Sequence, residues 1–238
     1  NKVFFKKKVL ITGNTGFKGS WLSLWMYSLG AKVLGISNNY PTNPSNFKDL
    51  NLIKKIKFKK IDIRNFNKVK KEVLDFQPDF IFHLAAQAIV KKSYEDPKYT
   101  WETNTLGTIN ILDSLQVIKK KVIAVIITSD KAYKNLEINR GYSEKDILGG
   151  EDPYSASKSA ADIATQSYIK STLKNKKNIK ISIARAGNVI GGGDWSSGRI
   201  IPDCIREWSS NKIVKIRNPR STRPWQHVLD VLSGYILL

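Results

Sequence analysis

Short apolar segments alternate with segments of helical periodicity along almost the whole chain, and this alternation constrains the fold more than any other feature. The apolar runs cover residues 9–12, 33–36, 58–61, 80–84, 122–128 and 181–184. Strands that are apolar on both faces are typical of a parallel sheet buried between layers of helices, and parallel strands need helical crossovers. The pattern therefore predicts an α/β fold with a doubly wound parallel sheet.

Helices are predicted between these runs, at residues 19–29, 67–76, 100–117 and 154–171. After residue 190 the composition changes to three glycines followed by Asp194 and Trp195. A short helix, a strand at residues 213–216 and the start of another helix are predicted to follow. We interpret residues 1–188 as one α/β domain and residues 189–238 as the beginning of a region that covers a ligand.

Composition excludes several classes of protein. Of the 238 residues, 41% are hydrophobic and 25% charged, which is unlike a disordered tail or a disulfide-rich miniprotein. One cysteine, Cys204, cannot form an internal disulfide, so a cytoplasmic location is expected. The longest apolar run is far shorter than the roughly 20 residues of a membrane span. With two histidines and one cysteine, no metal cluster is expected.

The formal net charge of +20 raises the question of nucleic-acid binding, since lysine and arginine neutralise phosphates. The lysines are spread along the chain, however, and most of them flank the apolar runs. This distribution favours a solvated basic surface over a nucleic-acid site. Nucleic acid and membrane are therefore not expected as partners.

A glycine loop follows the first apolar run and opens the first predicted helix. Gly13, Gly16 and Gly19 form a GxxGxxG pattern that also includes Thr15 and Phe17. Glycines allow the tight turn and the close approach of a pyrophosphate, while the helix N-terminus supplies free N–H groups. The position between a strand and a helix predicts dinucleotide binding.

The end of the second strand bears on which dinucleotide binds. The acidic residue that usually contacts the ribose hydroxyls is absent, and Asn38 stands in this region. Since no arginine or lysine is found there to receive a 2′-phosphate, NAD is predicted rather than NADP. Asp62, after the third strand, is interpreted either as a contact to the adenine amino group or as a helix N-cap.

A YxxxK pair is formed by Tyr154 and Lys158, which share one face of the fourth predicted helix. A free tyrosine is a poor base at neutral pH, but a neighbouring ammonium and a cationic nicotinamide stabilise its phenolate. Ser129 ends the fifth strand and is predicted to lie beside this pair. The three residues are candidates for an oxidoreductase centre.

Longer motifs extend these signals over nearly the whole chain. They are the segments 13–22, 83–86, 128–131, 148–158, 185–195 and 223–230. Together they resemble the extended short-chain dehydrogenase/reductases that act on nucleotide sugars, and within them the CDP-glucose 4,6-dehydratases. The resemblance implies a Rossmann-like NAD-binding domain at residues 1–188 and part of a sugar-nucleotide region at residues 189–238. It also implies a homo-oligomer and a natural protein longer than this chain.

The resemblance implies a reaction without net redox change, in which CDP-glucose becomes a 4-keto-6-deoxy sugar. Tyr154 would remove the C4 hydroxyl proton while NAD is reduced, with Lys158 holding the ribose and Ser129 bonding the same oxygen. Asp130 matches the acid that protonates the leaving C6 hydroxyl. Lys131 matches the position of the C5 base, where related dehydratases carry glutamate, so either a base or an electrostatic role is open to it.

Further contacts are implied by the same resemblance. Cofactor contacts beyond the glycine loop are expected at Asn38, Asp62, Ile63, Leu84, Ala85, Ala86, Asn104, Tyr154 and Lys158. Substrate contacts are expected at Gln87, Asn188, Arg199 and Arg223, whose guanidinium groups suit a diphosphate. Both histidines, His83 and His227, are assigned to packing.

Two other readings remain open at this level. A nucleotide-sugar 4-epimerase would need Tyr154 and Lys158 but no acid and base pair. A non-catalytic cofactor-sensing protein of the same fold would keep the glycine loop and lose the tyrosine and lysine. Nucleic-acid binding remains a distant third.

Overall fold

The computed structural model describes residues 2–216 and 218–238. The strands are β1 (Lys8–Thr12), β2 (Lys32–Ser37), β3 (Lys57–Lys60), β4 (Phe80–His83), β5 (Val122–Ile127), β6 (Ile179–Ala184), β7 (Asn188–Ile190) and β8 (Trp225–His227). The α-helices are α1 (Phe17–Ser28), α2 (Asn46–Asp49), α3 (Phe66–Phe76), α4 (Val90–Glu95), α5 (Pro97–Trp101), α6 (Gly107–Leu115), α7 (Pro153–Lys170), α8 (Ile200–Ser209) and α9 (Val228–Leu237).

Six parallel strands form one sheet in the order β3-β2-β1-β4-β5-β6. The predicted doubly wound parallel sheet and its six strands are thus confirmed, although the edge strand β3 is lysine-rich and mostly exposed rather than apolar. Strand order reverses between β1 and β4, and in such sheets ligands bind at this switch point, outside the carboxyl ends of the strands. The fold therefore directs attention to the carboxyl edge.

Each face of the sheet is buried by its own layer of helices. On one face Leu22 and Met26 of α1 and Leu232 of α9 pack against the sheet. On the other, Val69 of α3 and Leu112 of α6 do the same. The buried strands explain why their sequences are apolar without alternation.

The predicted helix at residues 100–117 corresponds to an unbroken helical segment that contains a π turn. A π-helical turn, Glu102–Leu106, joins α5 to α6. Its Thr103 and Asn104 are buried, and π turns are often found at functional sites.

The region after β6 differs from the prediction. The prediction of a strand at residues 213–216 was wrong. This segment has no regular structure, and Ile213 is 89% exposed. The small second sheet instead pairs β7 with β8 in parallel, so the local apolar pattern did not identify the strand partner. Several apolar side chains of α8 are exposed, namely those of Ile200, Ile201, Ile205 and Trp208.

Within the described residues, none of the helices combines the length and apolar character needed to cross a membrane.

Candidate active site

A cavity of about 740 Å³ opens at the carboxyl edge of the sheet. Residues at the end of β5 and the start of α7 line it, together with residues of β7, α8 and Trp225 of β8. Residues predicted from distant motifs meet here: Ser129, Asp130, Lys131, Tyr154, Lys158, Asn188 and Arg199 all line the cavity. The fold thus brings the Tyr154–Lys158 pair to the same cavity as Asp130 and Lys131.

The glycine loop forms a cradle at the N-terminus of α1. Gly13 has a φ of +74°, and a Cβ there would come within 2.7 Å of the backbone nitrogen of Ala85. A Cβ on Gly19 would overlap the carbonyl oxygen of Gly13. At Gly16, the N-cap of α1, no side chain caps the helix, so its first N–H groups are free to bind an anion. This cradle fits a pyrophosphate.

Hydrogen bonds from the end of β2 hold the glycine loop in place. The Ser37 hydroxyl donates to Asn14 (2.9 Å) and accepts from the backbone of Thr15 (3.2 Å). The Thr15 hydroxyl donates to the carbonyl of Asn39 (2.6 Å). Ser37 is therefore engaged within the protein, which leaves Asn38 and Asn39 as the polar residues beside the expected ribose position.

Asp62 does not cap a helix, and that interpretation was wrong. The N-cap of α3 is Asn65, whose side chain accepts from the backbone of Lys68. Asp62 instead binds the guanidinium of Arg64 (2.8 Å), which also binds Glu102 (3.0 Å). Burial alone would raise the pKa of Asp62, but the hydrogen bonds and charge of Arg64 outweigh it and lower the pKa.

Tyr154 and Lys158 occupy the first two turns of α7, which begins with Pro153 after the N-cap Asp152. The Lys158 ammonium is buried and donates to the carbonyl of Ile127 (3.2 Å). Burial, followed by the charge of Lys18, lowers the pKa of Lys158 to about 7. Burial raises the pKa of Tyr154, while the Ser129 hydroxyl and Lys18 act in the opposite direction.

Lys18 is a functional candidate that the sequence reasoning missed. It lies on α1 within the glycine loop motif, lines the cavity, and donates to the hydroxyl of Tyr235 on α9 (3.1 Å). Its charge acts on both Tyr154 and Lys158. Its position between two glycines of the motif was the sequence feature that could have identified it.

The segment after β5 turns sharply, which directs two charged side chains into the cavity. Asp130 and Lys131 lie on a single 3₁₀ turn, Asp130–Ala132, capped by the Ser129 hydroxyl. That hydroxyl also donates to the Asp130 carboxylate (3.0 Å). The backbone N–H of Asp130 donates to Ala186 (3.1 Å), which anchors the turn to the segment after β6.

Behind this turn is a buried ion pair that the sequence reasoning also missed. Arg185 binds both carboxylate oxygens of Asp162 (2.7 and 2.9 Å), one helical turn beyond Lys158. The Asp162 carboxylate also accepts from Thr128 (3.0 Å), and Arg185 donates to the Tyr133 hydroxyl (3.0 Å). The pair thus ties α7 to both ends of the Asp130–Ala132 turn.

The loop after β4 runs beside the glycine loop. Leu84 and Ala86 line the cavity, and Ala85 contacts Gly13. Ile63 is buried near Gly107. These positions are compatible with the predicted cofactor contacts.

Asn104 and Gln87 hold one another in place. The Asn104 side chain accepts from the Gln87 N–H (2.8 Å) and donates to the Gln87 carbonyl (3.1 Å) and to Ser157 on α7 (2.9 Å). The Gln87 amide donates to Thr100 (3.0 Å) and accepts from the Ile89 N–H (2.7 Å). Gln87 therefore bonds to other residues of the protein and lies outside the cavity lining. This position differs from the one expected of a substrate contact.

The two predicted arginines differ in position. Arg199 lines the cavity and binds the buried carboxylate of Asp194 (3.0 Å). Arg223 is exposed, donates to the neighbouring carbonyl of Thr222 (2.7 Å), and lies outside the cavity lining. The structure therefore does not bring Arg223 to the substrate side.

The histidines also differ. His83 is buried between the hydroxyls of Thr12 (2.7 Å) and Thr108 (3.1 Å), as packing predicts. His227 is exposed and accepts from the backbone of Leu229 as the N-cap of α9, so its assignment to packing was wrong. Among the described residues, no cluster of histidine, cysteine or acidic side chains could hold a metal ion.

Comparison with known proteins identifies the family. A family model described as GDP-mannose 4,6 dehydratase matches residues 10–238. The chain belongs to this family. A CDP-glucose 4,6-dehydratase of Salmonella typhimurium is 44% identical over 98% of this chain, and a dTDP-D-glucose 4,6-dehydratase of Dictyostelium discoideum is 29% identical over 98%. The chain spans 66% and 56% of the lengths of these two dehydratases.

Solved structures share the fold of this dehydratase-family chain. A UDP-glucose 4-epimerase of Thermus thermophilus in complex with NAD has a TM-score of 0.82 at 26% identity, over 97% of this chain and 73% of that one. DesIV, a dTDP-glucose 4,6-dehydratase of Streptomyces venezuelae with NAD bound, has a TM-score of 0.83 at 22% identity, over 96% and 70%. These neighbours confirm the Rossmann-like architecture.

Proposed function

We propose that the protein is an NAD-dependent nucleotide-sugar 4,6-dehydratase that acts on CDP-glucose. The observation that carries this proposal is the one cavity that Ser129, Asp130, Lys131, Tyr154 and Lys158 line together. The 44% identity to a CDP-glucose 4,6-dehydratase supports the choice of nucleotide. An acid beside the tyrosine and lysine favours dehydration over 4-epimerisation, which needs no elimination.

The glycine cradle fits the cofactor that this function requires. Gly13, Gly16 and Gly19 would hold the pyrophosphate at the N-terminus of α1, and Lys158 would hold the nicotinamide ribose. When bound, NAD supplies an acceptor for the C4 hydride and later returns that hydride to C6. All proton transfers are left to the side chains of the cavity.

Tyr154 is the base for the first step. Its phenolate removes the C4 hydroxyl proton, and Ser129 donates a hydrogen bond to the same sugar oxygen. Because burial raises the pKa of Tyr154, its phenolate needs nearby positive charge, which Lys18 and Arg199 provide. The Lys158 ammonium donates to the Ile127 carbonyl (3.2 Å), so its role here is to hold the ribose rather than to contact the phenol.

Asp130 and Lys131 serve the elimination. Once C4 is a ketone, the C5 proton is acidic and the C6 hydroxyl can leave with a proton from Asp130. Lys131 acts either as the base at C5, when neutral, or as a cation that stabilises the C4 enolate. Both roles require the short turn that directs the two side chains into the cavity.

The test is to incubate the protein with NAD and CDP-glucose and to follow the sugar nucleotide by mass spectrometry and NMR. The expected product has lost one water and carries a ketone at C4. UDP-, dTDP- and GDP-sugars in parallel reactions test the nucleotide preference. A C4 epimer of unchanged mass would instead establish an epimerase, and turnover of another nucleotide alone would refute the CDP assignment.

A further inference from the structure

Five side chains form a polar cluster at the carboxyl ends of β2 and β3, outside the main cavity. They are Asn38 after β2, Asp62 and Arg64 after β3, Tyr99 on α5, and Glu102 on the π turn. The Asn38 amide donates to the Tyr99 hydroxyl (3.3 Å), and the Arg64 guanidinium lies over the Tyr99 ring, 4.6 Å from its centroid. The Tyr99 ring therefore lies between Arg64 and Asn38 at the end of β2.

The end of β2 is where dinucleotide-binding folds distinguish NAD from NADP. An acidic residue there binds the ribose 2′-hydroxyl of NAD, and an arginine nearby accommodates the 2′-phosphate of NADP. Here Asn38 and Asn39 carry no charge. The sequence at the strand end therefore contains neither selection device.

Arg64 has the chemistry of a 2′-phosphate receptor, but its donors are occupied. Its Nε and Nη2 donate to Asp62 (3.1 and 2.8 Å), and its Nη1 donates to Glu102 (3.0 Å). The hydrogen bonds to Asp62 are also the largest cause of the raised pKa of Arg64, so the guanidinium stays charged and bound. Its planar fork is held between two carboxylates and an aromatic ring.

We propose that the Asp62–Arg64–Glu102 cluster selects NAD over NADP, because two carboxylates saturate the guanidinium and would repel a 2′-phosphate. This inference rests on the proposed function, since it assumes that the glycine cradle binds a nicotinamide dinucleotide. Within the cluster, Glu102 is the residue that we expect to determine the preference for NAD, because it accepts from Nη1 of Arg64 through its side chain alone. Asp62 also accepts from the backbone N–H of Arg64 (2.9 Å), so it has a structural role in the turn as well. The preference for NAD thus depends on a residue of the π turn that lies 38 positions after Arg64 in the sequence.

The experiment measures dissociation constants for NAD and NADP by quenching of tryptophan fluorescence, without any sugar substrate. Removing the charge in Glu102→Gln should tighten NADP binding about tenfold, the factor that corresponds to about 1.4 kcal/mol, and leave NAD binding within about twofold. The gain should shrink as salt is added, because it depends on a charge–charge attraction near the surface.

Two further variants show whether the gain runs through Arg64. The double variant Glu102→Gln with Arg64→Met should lose the gain in NADP affinity, because no freed guanidinium remains. Lys98→Gln is the matched control: Lys98 also faces Glu102 (3.9 Å) but is 88% exposed, so its loss should leave the NADP to NAD ratio within about twofold. Circular dichroism melting curves of each variant monitor the fold.

The outcomes are distinct. If NAD binds but Glu102→Gln leaves the ratio unchanged, or changes it only by weakening NAD, the selection by Glu102 is refuted and the proposed function stands. If the gain persists without Arg64, the assignment to this guanidinium is refuted. If the folded protein binds neither dinucleotide, both this inference and the proposed function fail.

Discussion

At the carboxyl edge of the sheet polar side chains are buried and bound to one another, whereas at the amino edge exposed lysines predominate. Lys32 and Lys57 begin β2 and β3, and exposed lysines precede β5 and β6 at positions 119, 121, 176 and 177. Near them, Asp79 before β4 binds Lys120 (2.7 Å). The carboxyl edge instead has Lys158 and His83 with less than a tenth of their surface exposed.

The orientation of the crossover helices explains the character of the carboxyl edge. Helices that connect parallel strands run antiparallel to them, so helix N-termini meet the carboxyl edge and helix C-termini meet the amino edge. The positive ends of the helix dipoles favour an anionic cofactor at the carboxyl edge. At the amino edge, α1, α3 and α6 end without a basic residue in their last turn, so the exposed lysines there belong to solvated connections. The charge of +20 therefore says little about where the chemistry occurs. Five predictions test this contrast.

The largest effect is expected from Tyr154→Phe. Without the phenol, no side chain removes the C4 proton, so turnover should fall by about 10²–10⁴-fold, the usual contribution of general acid–base catalysis. Reduction of NAD on addition of CDP-glucose should fall by the same factor, while binding of NAD should change little. Near-normal NAD reduction in this variant would assign the base to another group.

Lys131→Ala should separate elimination from oxidation. This variant should still reduce NAD in the presence of CDP-glucose, since Tyr154 and Lys158 are intact, and should accumulate the reduced cofactor. Turnover should fall by about 10²–10³-fold, as for loss of one preorganised charge. Proton exchange with solvent at C5, followed by NMR in D₂O, should be lost. Normal C5 exchange would show that Lys131 acts elsewhere.

The glycine loop should give a smaller effect, on binding alone. In Gly16→Val the new Cβ would lie 3.3 Å from the nearest protein atom, the Gly13 carbonyl, so the protein should fold while the side chain obstructs the pyrophosphate. We expect NAD binding to weaken about tenfold or more, which is roughly 1.4 kcal/mol. Gly141→Val is the control, because no atom lies within 4 Å of its Cβ. Unchanged NAD affinity in folded Gly16→Val would refute the placement.

His83 should make the stability of the folded protein depend on pH. Burial, followed by the charge of Lys158, lowers the pKa of His83 to about 3 from the 6.5 of a free histidine. Between these values the unfolded chain binds the additional proton, so stability falls as pH decreases from 6.5 toward 3, by at most about 1.4 kcal/mol per pH unit.

His83→Gln should remove this component, and urea unfolding of both proteins at several pH values measures it. Glutamine is a neutral hydrogen-bonding replacement that does not titrate. Parallel stability profiles for the two proteins would show that His83 does not contribute to the acid sensitivity.

Residues whose role depends on local sequence were predictable. The glycine loop, the YxxxK pair on α7 and the apolar strands follow from spacing and apolar runs within one element. The structure places the loop and the pair at the carboxyl edge of the sheet, as expected. The turn that presents Asp130 and Lys131 was found through a motif, also a local signal.

Contacts between distant segments were not predictable from one sequence. Arg185 and Asp162 are 23 residues apart, and Lys18 meets Tyr235 across 217 residues. Arg64 belongs to the end of β3 by sequence but meets Glu102 of the π turn. The false strand at residues 213–216 has the same origin, because a strand requires a partner that the local pattern does not contain.

The smallest effect is expected from the lysines of the amino edge. Replacing Lys119, Lys121, Lys176 and Lys177 together with serine should leave kcat/KM within about twofold, because these side chains are solvated and lie at the edge opposite the cavity. Stability should change by no more than about 0.5 kcal/mol per substitution, because these exposed side chains lie beyond the last turns of α6 and α7. Retention on DNA–cellulose should weaken in the variant and disappear for both proteins as salt rises, as for non-specific contacts. A tenfold loss of activity, or DNA retention that resists salt, would show that this edge has a function of its own.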